Sequence, residues 1–323
     1  MRAITHSAPG GPEVLTLRDV PTPSPGPREL LVGVRAAGLN RADVIQRRGG
    51  YPAPAGWPAD IPGLEFAGEV EAVGPEVTAW RVGDRVMGLV GGGAHAQYVA
   101  IHEAEAIAVP PMLTLTEAAA VPEAFLTAWD ALTTRGRLAA GERVLLHAVG
   151  SGVGTVAIQL AKRLGATVLG TSRTLGKLEQ CRPLGLDQGI DTSAGSFREA
   201  VSVPVNVIVD VLGGPAFADN LAVLAPRGRL VLLGFLQGPK VETSLDPILR
   251  KRLEVIGTVM RTRGPEERAA LAAEFTARLA PWFATAQPVR PVIGATFAMA
   301  DIAEAHRAME ADAVFGKIVL EWR

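Results

Sequence analysis

Gly150, Gly152 and Gly154 recur at every second position in the stretch HAVGSGVGTVAIQLAKRLG, between an apolar segment and a helix-like one. Glycines at a strand-to-helix turn let the backbone approach a diphosphate, whose charge is favoured by the free N–H groups of the helix that follows. The strict Gly-x-Gly-x-x-Gly spacing is not met, because Thr155 stands where the third glycine is expected. ERVLLHA before the run and TVAIQLAKRLG after it nevertheless supply the strand and the helix that the motif requires. About 20 residues on, where a carboxylate commonly accepts hydrogen bonds from a ribose 2′-hydroxyl, the chain reads ATVLGTSRTLGK. Ser172, Arg173 and Lys177 would hydrogen-bond and neutralise a 2′-phosphate that an acidic residue would repel. The expected cofactor is therefore NADPH rather than NADH. The plainer alternative is that Arg173 and Lys177 are solvated charges opening a helix.

Such a site needs a buried parallel sheet beneath it. From about Thr116, helical segments alternate with short, continuously apolar ones, ERVLLHA, ATVLGT, QGIDT, VNVIVDVL, GRLVLLGF and LEVIGTVM. This is the pattern of parallel strands covered on both faces. In the helix after the glycines, Val156, Ala157, Leu160, Ala161 and Leu164 share one face. Up to about Leu115 the pattern is instead β-like and punctuated by Pro and Gly, which predicts a compact, barrel-like β domain. After Met260 a long amphipathic helix carries Leu271, Phe275, Leu279 and Trp282 on one stripe, followed by DIAEAHRAME and a last strand, GKIVLEW. That strand breaks the alternation and is assigned back to the first domain. The expected fold class is α/β, with a doubly wound parallel-sheet (Rossmann) nucleotide domain, 119–262, inserted into a discontinuous β-rich domain, 1–118 and 263–323, and a cleft between them.

Composition narrows the partners. The net charge of −1 gives no basic surface for nucleic acid or an anionic membrane. No apolar run is long enough to span a bilayer, and the N-terminus lacks a signal-peptide pattern, so the expected location is the cytoplasm. One cysteine, Cys181, leaves no disulfide framework, and the five histidines lack metal-ligand spacing.

The blocks AAGLNRADVIQRRGGYP, IPGLEFAGEVEAVG, WRVGDRVMGL, VPEAFLTAWDAL, HAVGSGVGTVAIQLAKRLGA and GKIVLE, in this order over essentially the whole chain, resemble the zinc-free quinone oxidoreductase (zeta-crystallin-like) branch of the medium-chain dehydrogenase/reductase superfamily. The resemblance implies that the β-rich domain is GroES-like. Zinc enzymes of that superfamily carry Cys where this chain has Asn40, His-Glu where it has Leu64-Glu65, and a further Cys near Glu123. Catalytic zinc needs three protein ligands, so no metal is expected. Without a Lewis acid, oxidation of simple alcohols is disfavoured. Reduction of a conjugated quinone or enone remains accessible to hydrogen-bond donors.

The resemblance further implies that Thr127 lies beside the nicotinamide, that Gly150, Ser151, Gly152 and Val153 meet the diphosphate and ribose, and that Ser172, Arg173 and Lys177 receive the 2′-phosphate. Gly213, Gly214, Gly234 and Phe235 would sit at the carboxyl ends of later strands. Many relatives carry a Tyr where this chain reads GIDTSAG, with Thr192 nearby. Asn40, Asp43 and Tyr51 are the candidates for catalysis, with Asn40 also beside the cofactor. Asn40 offers an amide N–H to a carbonyl, and Tyr51 offers a phenol to a quinone. Asn40 and Asp43 also have N-cap to N3 spacing and can simply cap a helix. Glu65 is expected to pair with a basic residue, Arg being one candidate, rather than act as a general base, since an unpaired buried carboxylate is costly. The implied activity is NADPH:quinone oxidoreduction. An enoyl or alkenal reductase and a non-catalytic NADPH-binding protein stay open as alternatives. A homodimer through LEVIGTVM is also implied.

Overall fold

The computed structural model describes all 323 residues, which form two compact units, Thr127–Val259 and the pair of segments Met1–Leu126 and Met260–Arg323. The first limit falls eight residues after the expected 118/119 and the second three residues before the expected 262/263. Met260 to Arg263 group with the β-rich segments because Arg261 hydrogen-bonds to Gly91, Tyr51 and Gln46 there.

Within Thr127–Val259, the strands β8 (Arg143–Leu146), β9 (Thr167–Ser172), β10 (Gln188–Asp191), β11 (Val205–Asp210), β12 (Leu224–Leu232) and β13 (Glu254–Gly257) form one parallel sheet in the order β10-β9-β8-β11-β12-β13. Counted within the unit this is the doubly wound order 3-2-1-4-5-6, which changes direction between β8 and β11. The helices α4 (Gly152–Arg163), α5 (Leu175–Cys181), α6 (Gly214–Val223) and α7 (Asp246–Lys251) follow β8, β9, β11 and β12. Leu145, Leu169, Ile208 and Leu230 are fully buried in four adjacent strands, as parallel strands covered on both faces require. On α4, Val156, Ala157, Leu160 and Ala161 are buried as the periodicity predicts.

In the other unit, β1 (Arg2–Thr5) and β2 (Thr16–Asp19) pair as a hairpin. The strands β3 (Glu29–Leu39), β4 (Glu65–Val73), β5 (Arg85–Leu89), β6 (Tyr98–His102), β7 (Ile107–Ala108), β14 (Ile293–Ala298) and β15 (Lys317–Glu321) make a seven-stranded sheet. Its path is β14-β15-β3-β4-β5-β7, with β6 on β3. The last strand thus returns to the first domain, antiparallel to β3 with Ile318 opposite Leu39. The helices α1 (Arg41–Arg47), α2 (Leu115–Ala118) and α9 (Ile302–Glu310) accompany this sheet, and α3 (Pro122–Trp129) crosses the division of the chain.

The long amphipathic helix is interrupted. α8 (Pro265–Glu274) gives way to a wider-turn segment, Phe275–Leu279, and then to a tight one, Ala280–Ala284. Leu271, Phe275 and Leu279 are buried as expected, but the fourth member of the stripe is Phe283 and not Trp282. The wide turn takes up extra residue length, so the face moves by one position.

Two histidines in this unit are fully buried, His95 and His306. Arg47 donates to His306 Nδ1 at 3.2 Å, so the ring is the neutral Nε2–H form. Burial, with His95 and Arg47 nearby, pushes its pKa down to about 3. A group with a folded pKa below its unfolded one leaves stability intact above about pH 6.5 and removes it as pH falls. Relative to His306→Gln, the wild type is expected to lose roughly 2 kcal/mol of unfolding free energy between pH 7.5 and 5 in paired urea titrations. A difference that does not change with pH contradicts this protonation state.

Candidate active site

Asn40 follows β3 and opens α1. Its backbone N–H donates to Asp43 Oδ2 at 2.8 Å, and Asp43 Oδ1 accepts from Gly63 N–H at 3.1 Å. Asp43 has no exposed surface, and burial pushes its pKa up against the opposing effects of His95, Arg261 and Lys317. Its two oxygens hold the first turn of α1 onto the chain entering β4, which is the capping alternative read from the spacing.

The Asn40 amide is engaged as well. Its Nδ2 donates to Glu65 Oε1 at 2.9 Å, and its Oδ1 accepts from Lys317 Nζ at 2.7 Å. Lys317 also donates to Glu65 Oε1 and, at 3.3 Å, to the Leu39 carbonyl, so its three N–H groups are all used. Glu65 Oε2 accepts from Glu123 N–H at 2.8 Å, at the start of α3. The basic partner of Glu65 is therefore Lys317 and not an arginine. The antiparallel register of β15 on β3 brings it opposite Asn40. Gly38 makes room for the carboxylate, since a Cβ there would stand 2.2 Å from Glu65 Oε1.

Tyr51 is half-buried, and the Arg261 guanidinium lies 4.9 Å from its ring centroid. Arg261 is buried and donates to the Gly91 carbonyl at 2.8 Å, the Tyr51 carbonyl at 2.7 Å and Gln46 Oε1 at 2.6 Å. Burial, reinforced by the charge of Glu123 and opposed by Arg261, pushes the Tyr51 phenol up to about 12. At neutral pH it is a hydrogen-bond donor held in the neutral form. Sequence reasoning missed Arg261 and Lys317, because both act through contacts with residues more than 200 positions away.

In the nucleotide-type unit, Ser151 caps α4, its Oγ accepting from Gly154 N–H at 3.1 Å. The N–H groups of Gly152 and Val153 have no partner within the protein and stand at the positive end of a twelve-residue helix. A Cβ on Gly154 would fall 2.7 Å from the Ala148 carbonyl and from Val149 Cα. Gly154 thus supplies the close helix-to-strand approach expected of the third glycine, one position before Thr155. Lys177, half-buried on α5, lays its stem over Gly150, where a Cβ would meet Lys177 Cδ at 2.8 Å. Ser172 Oγ accepts from Thr174 N–H at 3.1 Å and donates to the Thr174 carbonyl at 3.2 Å, shaping the turn that exposes Arg173.

At the carboxyl end of β11, Gly213 has φ +87°. Gly214 N–H donates to the Gly238 carbonyl at 2.8 Å, joining this turn to the loop after β12 that carries Gly234 and a half-exposed Phe235. Thr127 is buried on α3. The structure thus gathers Asn40, Asp43, Glu65 and Tyr51 in one unit, and the turns with Gly150–Val153, Ser172–Lys177 and Gly213 at one end of the sheet in the other. These turns fit a dinucleotide, whose diphosphate the bare N–H groups of α4 can receive. A zinc ion does not fit. Asn40 and Leu64 replace two ligands, a buried ammonium lies beside Glu65, and no three His, Cys, Asp or Glu side chains converge.

Two family models match, the alcohol dehydrogenase GroES-like domain over residues 26–111 and the zinc-binding dehydrogenase family over residues 152–278. A quinone oxidoreductase of Pseudomonas aeruginosa is 36% identical, with 99% of both chains covered. The solved quinone oxidoreductase of Pseudomonas syringae pv. Tomato DC3000 superposes with a TM-score of 0.87 at 31% identity, covering 99% of each chain. A mycobacterial protein solved in complex with NADPH superposes with a TM-score of 0.85 at 31% identity, covering 99% of this chain and 100% of that one. No helix is long and apolar enough to cross a membrane. A Rossmann unit whose bare glycine turn suits a dinucleotide, joined to a GroES-like unit and matched along its whole length by such relatives, places this chain in the quinone oxidoreductase branch of the medium-chain dehydrogenase/reductase superfamily, as a nicotinamide-dependent oxidoreductase.

Proposed function

We propose that this protein is a zinc-independent NADPH:quinone oxidoreductase. The observation that carries the cofactor preference is the turn after β9. Ser172, Arg173 and Lys177 stand there without a carboxylate, and the lysine stem crosses the glycine turn at Gly150. Two cations and a hydroxyl favour a 2′-phosphate. Ser151, Gly152 and Val153 receive the diphosphate, Gly213, Gly234 and Phe235 border the nicotinamide half, and Thr127 lies beside the nicotinamide.

A nicotinamide bound at these turns would supply two reducing equivalents, as a hydride with one proton or as two single electrons with two protons, to convert a quinone to the hydroquinone. Tyr51 donates a hydrogen bond to the substrate oxygen, with its ring held by Arg261. Asn40 acts chiefly through the Lys317–Glu65 pair, because that pair already occupies its amide. Asp43 positions α1. Lys317 fixes positive charge beside Glu65, where zinc relatives of the superfamily hold a metal.

β13 is a sheet edge with Val255 exposed, and Leu245 and Leu249 on and beside α7 are also exposed. Pairing with a second copy through β13 would cover an edge that otherwise invites aggregation, which supports a homodimer.

Fluorescence titration with NADPH and NADH tests the cofactor reading. NADPH is expected to bind at least about tenfold more tightly, a difference near 1.4 kcal/mol. Equal affinities would remove the NADPH assignment and leave a nicotinamide-dependent enzyme of other preference.

A further inference from the structure

Between the glycine turn and the later strands of the Rossmann unit runs a buried line of polar side chains that the dinucleotide contacts proposed above do not use. His147 directly follows β8 and is buried. Its Nδ1 lies 2.9 Å from Thr171 Oγ1 in β9, and its Nε2 lies 2.8 Å from Asn220 Oδ1 in α6. Asn220 Nδ2 donates to Asp210 Oδ2 at 3.0 Å, and Asp210 Oδ1 accepts from the N–H groups of Leu212 at 2.6 Å and Gly213 at 3.2 Å. The Phe197 ring meets the imidazole edge-on, 4.8 Å away.

The direction of every bond follows from one end. The Asp210 carboxylate only accepts, so Asn220 presents its amide N–H to Asp210 and its carbonyl to His147. The imidazole must then carry its proton on Nε2, and Nδ1 accepts from the Thr171 hydroxyl. The charge of Asp210 favours a protonated ring. Burial lowers the His147 pKa despite that charge, which keeps the ring neutral.

Both ends of the line reach cofactor turns. Thr171 precedes Ser172, and its carbonyl accepts from Val149 N–H at 3.1 Å in the glycine turn. Asp210 ends β11 and holds the turn to Gly213. The strands joined are β9, β8 and β11, which span the place where the sheet order reverses and where ligands of such sheets lie.

We propose that His147, as the neutral Nε2–H tautomer, is a positioning residue for the dinucleotide that locks the adenosine-side turn after β9 to the nicotinamide-side turn after β11. This rests on the cofactor reading above. None of its members is among the dinucleotide contacts proposed above, so it acts through the placement of Ser172, Gly150 and Gly213. A fully partnered buried network of this kind holds one geometry, and one missing member loosens the rest.

The test uses the full chain and two probes, 2′,5′-ADP and NADH, with Thr171→Val, which keeps shape, and Thr171→Ser, which keeps the hydroxyl. Thr171→Val is expected to weaken 2′,5′-ADP binding about fivefold, the value of one hydrogen bond, while Thr171→Ser binds like wild type. Nitrogen-15 spectra of histidine-labelled protein should show His147 as Nε2–H at neutral pH. Unchanged 2′,5′-ADP affinity in Thr171→Val, even with a lowered melting temperature, would make the line purely structural and overturn the proposal. So would an Nδ1–H tautomer. If wild-type protein binds NADH but not 2′,5′-ADP, the 2′-phosphate reading fails by itself. The variant comparison then passes to NADH, where unchanged affinity overturns the positioning role and a loss supports it.

Discussion

Lys317→Met is expected to lower the unfolding free energy by about 3–5 kcal/mol, the cost of leaving one partner of a buried ion pair alone. Glu65 would stay in the interior with donors only from Asn40 and the Glu123 N–H. The double variant Lys317→Met/Glu65→Gln should recover most of that loss. A neutral amide still accepts from Glu123 N–H and can donate to the Asn40 oxygen that Lys317 vacates. Urea unfolding of the wild type, the single variant and the double variant measures both steps. Equal instability of the single and double variants would show that packing, rather than the charge pair, sets the stability here.

Arg173→Ala/Lys177→Ala is expected to remove the preference for NADPH. Each charge-assisted hydrogen bond to a phosphate contributes about 1.5–3 kcal/mol, so NADPH affinity should fall tenfold or more while NADH affinity changes little. Titration of both cofactors into both proteins reads the result. An equal loss for NADH would mean that Lys177 supports the glycine turn, over which its stem lies, without reading the 2′-phosphate.

Much of this was legible in the residues because it is local. The apolar runs gave the parallel sheet, the glycine spacing marked the strand-to-helix turn, and the change of rhythm at GKIVLEW returned the last strand to the first unit. Motif spacing placed the close-packed glycine one position late. Sterics decide that role, and Gly154 is the residue without room for a Cβ. A basic partner for Glu65 was legible, but its identity as Lys317 was not, because pairing across 252 positions depends on the register of β15 against β3. The stripe ending at Phe283 was hidden by a wide helical turn that no periodicity signals. His147 reads in sequence as an isolated histidine at a strand end. Only the sheet order β9-β8-β11 reveals its neighbours.

The central claim is reduction of a quinone by NADPH without a metal, and turnover measures it most directly. Protein dialysed against a chelator is mixed with NADPH and, separately, a naphthoquinone, an ortho-quinone, a crotonyl-type enone and, with NADP⁺, a primary alcohol. The account predicts NADPH oxidation with the quinones, unaffected by the chelator, and no reduction of NADP⁺ by the alcohol. Faster turnover of the enone would make the protein an enoyl or alkenal reductase. Binding of NADPH with no turnover of any acceptor would contradict an enzymatic role.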